Sequence, residues 1–160
     1  MRNWPLLLAW LAIIGIGWVG VNQWMQPRSA TVSASGEVRI PRHRDGHFWV
    51  EGTVNGRPVR FLVDTGASSV VVSDAFAKRA GLEGGQPTTF STANGRMQGR
   101  LVRNVPVTIG PLSVSGTTVG VGLVGGDADR ALLGQSFLSK FEVRIGREEM
   151  VIGVGSGRTD

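Results

Sequence analysis

One carboxylate in this chain stands where a carboxylate is costly. Asp64 closes the apolar run Phe61-Leu62-Val63. The small residues Thr65, Gly66, Ala67 and Ser68 follow, and then a second apolar run, Val70-Val71-Val72. A charge set between two core-type segments needs hydrogen bonds or partial solvation. As chemistry, such a group is a general acid or base acting on a water or a carbonyl. As structure, Asp-Thr-Gly is also an ordinary turn, because Asp and Gly both favour turns. The remaining chemistry-bearing residues make weaker patterns. His43 and His47 have no partner at a metal-ligand spacing and read as surface histidines. Asp127 and Asp129 lack the other ligands of a calcium loop and read as turn residues. Gly120 to Gly125 fits G-x-G-x-x-G, but the motif must open a helix within a βαβ unit, and here it runs into Gly126-Asp-Ala-Asp129. No cysteine is present, so disulfides and thiolates are excluded. No metal or cofactor is expected.

The elements that must position Asp64 are legible around it. His47 to Val54 and Arg57 to Val63 are strand-like and are joined by Asn55-Gly56, the strongest short-range hairpin signal. This hairpin delivers Asp64 at the end of its second strand. Ser73 to Gly81 reads as a short helix. Ser73 is its N-cap, Asp74 lies in the first turn, Lys78 and Arg79 in the last, and Gly81 is the stop. Thr88 to Ala93 and Arg96 to Val102 flank a second Asn-Gly at Asn94-Gly95. Its thinly apolar flanks suit a mobile lid as well as an exposed hairpin. Val105 to Ile109, Leu112 to Val114 and Thr117 to Val124 continue the strand pattern. Leu132-Leu133 gives a strand end, Gly134 a break, and Gln135 onward a short amphipathic helix. Phe141 to Ile145 and Met150 to Val154 form a last hairpin.

The 160 residues allow one domain and an appendage. With 24 glycines, many Val, Thr and Ser, and no tyrosine, short strands and tight turns are expected rather than a helical bundle. The net charge is +5, with no basic block interleaved with aromatics, so nucleic-acid binding is not expected. Trp4 to Val21 carries no charge and is long enough to span a membrane, with Trp4 and Trp24 at its two ends. A cleaved signal peptide is the rival reading, but its apolar core is usually only about 7–15 residues. Glycines 15, 17 and 20 lack the spacing of a helix-dimerisation motif. The expected division is an anchor at 1–25, a tether at 26–36 and a folded domain at 37–160. A single-pass location with the domain exported across a bacterial inner membrane is expected. The arginines at 28, 39, 42 and 44 count the other way.

Together, Asp64-Thr-Gly-Ala-Ser68, Thr92-Ala-Asn-Gly95 and Leu132-Leu-Gly-Gln-Ser-Phe-Leu138, in this order, resemble the retropepsin-like aspartic proteases. The membrane-anchored bacterial branch of that group is the nearest likeness, over about residues 46–154. The resemblance implies a mostly β fold: a single closed β-barrel acid-protease domain with short helices, here preceded by one transmembrane helix. It implies Asp64 as the catalytic carboxylate, Thr65 bonded across a dimer beneath the carboxylate pair, and Gly66 donating its N–H toward Asp64. Ala67 and Ser68 complete the turn and the wall of the substrate site. Ala93, Asn94 and Gly95 form a flap over an extended polypeptide substrate. Leu132, Leu133 and Gly134 brace the active-site loop.

The chemistry of this group needs two carboxylates sharing one proton. Asp45, Asp74, Asp127, Asp129 and Asp160 all lack the following Thr/Ser-Gly. The second carboxylate is therefore expected from a second copy, giving a homodimer. Retroviral members carry Arg and Asp or Asn after the core glycine. Gln135-Ser136 stands there in this chain, and Gly155 to Asp160 offers no intertwining terminal strand. The expected function is a membrane-anchored aspartic endopeptidase. The alternatives are a retropepsin-like domain that binds peptides or dimerises without cleaving, and a structural β-domain on a membrane stalk.

Overall fold

The computed structural model describes residues 4–25, 29–92, 95–122 and 128–155, with side chains in the first helix described at Trp4, Leu8 and residues 10–20. Helix α1 (Trp4–Met25) leads the chain. Among the described residues no helix is long and apolar enough to cross a membrane. The strands are β1 (Thr31–Val32), β2 (Val38–Pro41), β3 (Trp49–Val54), β4 (Arg57–Val63), β5 (Val70–Val72), β6 (Gln86–Thr92), β7 (Gly95–Ile109), β8 (Leu112–Val121), β9 (Arg130–Leu133), β10 (Glu142–Ile145) and β11 (Glu149–Gly153). Two short helices, α2 (Asp74–Arg79) and α3 (Gln135–Leu138), complete the set.

The larger sheet has the order β3-β4-β9-β5-β8-β7-β6, and an extra pairing of β3 with β7 closes its first six strands into a barrel. Strand alternation fills the interior: Val50, Val54, Val59, Phe61, Val70, Val72, Val119, Val121, Ala131 and Leu133 are all buried. Phe61, Phe76 and Phe137 are the largest fully buried side chains, so the short helices seal the barrel with aromatic rings. The expected hairpin at Asn55-Gly56 is present. Both turn residues are left-handed, with φ of 50° and 75°, which is what a two-residue turn matched to strand twist requires.

The strands expected separately at 105–109 and beyond are instead parts of two long strands. Strand β7 bends rather than ends, because Asn104 takes φ of 58° and the β7–β8 register shifts between Val102 and Val107. The stretch read as a tether is also partly structured. Thr31 and Val32 pair with β2, and Ser33 closes the turn by accepting the Gly36 N–H at 3.0 Å and bonding Glu37. A second sheet, β1-β2-β11-β10, is thus made entirely from this chain, with β11 paired on both sides.

Helix α2 starts as expected: the Ser73 Oγ accepts the Phe76 N–H at 3.1 Å and donates to the Ala128 carbonyl. His43 and His47 lie at the surface, and both turn Nδ1 to Asp45 Oδ1, at 3.1 and 3.3 Å. Trp49 Nε1–H also donates to Asp45, at 3.0 Å. Partial burial pushes the Asp45 carboxyl up. The bonds from the His47 backbone N–H, Trp49 and His43, with the His43 charge, outweigh it and hold the group well below its ordinary value of 3.8.

Two outcomes test these local arrangements. Ser73→Ala is expected to cost about 1 kcal/mol in denaturant unfolding, the usual worth of an N-cap. Because the folded-state carboxyl of Asp45 is depressed, its contribution is present above about pH 4 and is lost as pH falls further. The gap in unfolding midpoint between the natural chain and Asp45→Asn should therefore be wider at pH 7 than at pH 3.

Candidate active site

The loop that carries Asp64 is set by an unusual strand order. Strands β4 and β5 are joined by residues 64–69 but are not neighbours, because β9 lies between them, parallel to β4 and antiparallel to β5. The loop therefore has to arch over the end of β9. The Asp64 N–H extends the β4–β9 ladder by donating to the Leu133 carbonyl at 3.1 Å. The Asp64 carboxylate accepts the Gly66 N–H at 2.9 Å, which fixes its orientation, and the Asp64 carbonyl accepts from Ala67 at 3.2 Å. Asp64 is half-buried, while Thr65, Gly66 and Ser68 are exposed.

The loop rests on the start of α3. The Gln135 N–H donates to Ala67 O at 2.8 Å and the Ser136 N–H to Ser68 O at 3.1 Å. Gln135 Nε2 reaches back to the Thr65 carbonyl at 2.9 Å. The Ser136 hydroxyl accepts the Val70 N–H and donates to the Thr118 carbonyl, each at 2.9 Å, and so ties loop, β5 and β8 together. Gly134 makes this contact possible. A Cβ there would lie 2.3 Å from Ser69 O and 2.6 Å from Ala67 O, inside any allowed approach.

The sequence-predicted residues Asp64, Thr65, Gly66, Ala67 and Ser68 are thus gathered in one braced loop, with Leu133 and Gly134 beneath it. Gly95 opens β7, and Thr92 Oγ1 donates to its carbonyl at 2.8 Å across the neck of the β6–β7 hairpin. Ala93 and Asn94 lie outside the described residues, as does Asp127. Asp74 sits in the first turn of α2 and Asp129 pairs with Arg79. Neither enters the loop. Among the described residues there is no cluster of three or more His, Cys, Asp or Glu placed to hold a metal.

Sequence reasoning missed two features. One is the work of Gln135 and Ser136, read only as a departure from a dimer ion pair. Their place just after a core glycine, at the start of a helix, was the available signal. The other is the seat of Phe90. Alternation puts Phe90 on the same outer face as Gly99, Gly120 and Gly122, whose missing side chains leave room for its ring. A Cβ at Gly99 would lie 2.5 Å from Phe90 Cε2, and one at Gly120 would lie 2.8 Å from Cζ. The second hairpin therefore has an apolar anchor that its polar flanks do not advertise.

A closed six-stranded barrel thus presents one Asp-Thr-Gly on a loop that crosses an interposed strand. The family comparison agrees. Residues 50–140 match the family "gag-polyprotein putative aspartyl protease", and the chain belongs to the retropepsin-like aspartic proteases. It is similar to a retropepsin-like aspartic protease from Rickettsia conorii, with 36% identity and a TM-score of 0.60 over 72% of this chain and 98% of that one. Curated relatives include a Sinorhizobium protein described as uncharacterized, in the cobV 5′ region, 38% identical over 67% of this chain and 47% of its own length. Another is protein RP867 of Rickettsia prowazekii, 33% identical over 73% of this chain and 51% of its own. DNA damage-inducible protein 1 of Yarrowia lipolytica is 27% identical over 70% of this chain and 28% of its own. The chain spans about half the length of the first two.

Ser136→Ala would leave the Val70 N–H and the Thr118 carbonyl without this partner. It is expected to cost about 1–3 kcal/mol. Gly134→Ala is expected to cost as much or more through overpacking. Chemical denaturation measures both, and a loss below a few tenths of a kcal/mol for either would refute the brace.

Proposed function

We propose that this chain is a membrane-anchored aspartic endopeptidase, active as a homodimer. The observation that carries the reading is the braced Asp64-Thr65-Gly66 loop, which holds one oriented carboxylate at an exposed edge of the barrel. A second copy, related by a two-fold axis, brings a second Asp64 beside it. Two carboxylates in contact share one proton, because both cannot ionise at that distance. The ionised one takes a proton from a water as it attacks the scissile carbonyl. The protonated one donates to the carbonyl oxygen, giving a tetrahedral diol. Collapse of the diol breaks the C–N bond as the leaving amine takes up a proton.

On this reading the β6–β7 hairpin serves as the flap, to which the sequence assigns Ala93, Asn94 and Gly95, and Phe90 anchors its base. Closing it over an extended peptide would exclude water from the pair. The anchor reading rests on α1. The support is the sequence itself, the uncharged run Trp4 to Val21. Its described apolar side chains, among them Ile14, Ile16 and Trp18, have no cover from the barrel. Confinement to a membrane raises the effective concentration of weakly associating copies.

The test uses the 160-residue chain in vesicles with a peptide library across acidic to neutral pH. Asp64→Asn is expected to lose cleavage by at least about a thousandfold, the scale of losing one member of a catalytic unit, while folding and self-association persist. Vesicles in which the natural chain self-associates yet cleaves nothing at any pH would favour a peptide-binding or dimerisation module. A chain that stays monomeric at high surface density, and is merely stabilised by Asp64→Asn, would instead make Asp64 a turn residue.

A further inference from the structure

The loop that carries Asp64 uses one peptide group twice. The peptide joining Thr65 to Gly66 gives its N–H to Asp64 Oδ1 at 2.9 Å, and its carbonyl oxygen accepts from Gln135 Nε2 at 2.9 Å. The N–H and C=O of one peptide lie in a single plane and point in opposite directions. The Gln135 amide, this peptide and the Asp64 carboxylate are therefore bonded in series.

Both ends of the series are fixed. The Gln135 N–H donates to the Ala67 carbonyl at 2.8 Å. The Gln135 carbonyl accepts from the Ser139 N–H at 3.1 Å and from the Ser139 hydroxyl at 2.6 Å. The side chain thus reaches back to Thr65 from a backbone whose polar groups are both engaged. At the other end, a Cβ on Gly66 would lie 3.3 Å from Asp64 Oδ1, so that oxygen rests close against the Gly66 edge of the peptide.

A donor on a peptide carbonyl does two things. It polarises the peptide and strengthens the N–H on the opposite side, by roughly 10–30% per bond in a chain of hydrogen bonds. It also resists rotation of the peptide plane, the motion that would swing the Gly66 N–H off the carboxylate. An amide does both without bringing a full charge to the loop, as lysine or arginine would.

We infer that Gln135 is a positioning residue for Asp64, acting through the Thr65–Gly66 peptide. Its effect on turnover rests on the protease reading; its effect on the peptide does not.

Two variants separate these effects. Gln135→Met keeps the length of the side chain and removes the donor, whereas Gln135→Lys keeps a donor of similar reach. Both are made in the 160-residue chain in lipid nanodiscs, with circular dichroism reporting folding. NMR reads hydrogen exchange at the Gly66 N–H, with the Val70 N–H, which Ser136 holds, as the reference. In Gln135→Met, exchange at Gly66 relative to Val70 should quicken about three- to tenfold, the scale of one hydrogen bond, and Gln135→Lys should restore it to within about twofold. With a peptide that the natural chain cleaves, kcat should fall about three- to tenfold in Gln135→Met while KM stays within about twofold, and Gln135→Lys should recover it. Unchanged exchange at Gly66 in Gln135→Met overturns the proposal. Equal quickening at Gly66 and Val70 also overturns it, because that marks a general loosening of the loop. So does selective quickening with kcat unchanged in a chain that cleaves. If the natural chain cleaves nothing while Gln135→Met selectively quickens Gly66, the protease reading fails and the bonded series stands.

Discussion

The structure depends on a crossing. Strand β9 is inserted between β4 and β5, so the segment linking those two strands has to pass over its end. The passage is open only because Gly134 has no side chain; any Cβ would collide with the carbonyls of Ala67 and Ser69. Once the loop lies there, its backbone groups are met by the N–H groups of Gln135 and Ser136 and by both of their side chains. The carboxylate is oriented by the shape of the loop rather than by a dedicated partner side chain.

The crossing also places the loop at an edge of the barrel, with Thr65, Gly66 and Ser68 exposed. A one-carboxylate loop at an open surface makes half a site, and on the proposed reading the other half comes from a second copy. Strands β1, β2, β11 and β10 all come from one chain, and β11 has no free edge.

The second sheet of consequences concerns the outer face. Three glycines, at 99, 120 and 122, leave space for one aromatic ring from the hairpin above them. Across the same face, half-buried Leu62, Leu132 and Val71 lead to Trp49 with its two arginines.

Local signals in the sequence were enough for the hairpin at Asn55-Gly56, the Ser73 cap, the Leu132-Leu133-Gly134 break and the last hairpin. Each depends on a few adjacent residues with fixed backbone preferences. The same locality explains the errors. The sequence pattern divides β7 into runs at 96–102 and 105–109, whereas partners on both sides carry the strand through a bulge. Thr31 and Val32 looked like tether because a two-residue strand has no periodicity of its own, only a neighbour in β2. By itself, the sequence determined that one carboxylate sits in a turn between core strands with a Leu-Leu-Gly segment to support it. Composition and short-range propensity suffice for that. Only the tertiary structure decided that β9 separates β4 from β5, that Gly134 and Ser136 hold the loop, and that Phe90 seats on Gly99, Gly120 and Gly122. Those facts depend on strand order and register between residues far apart in the chain, which no local pattern encodes.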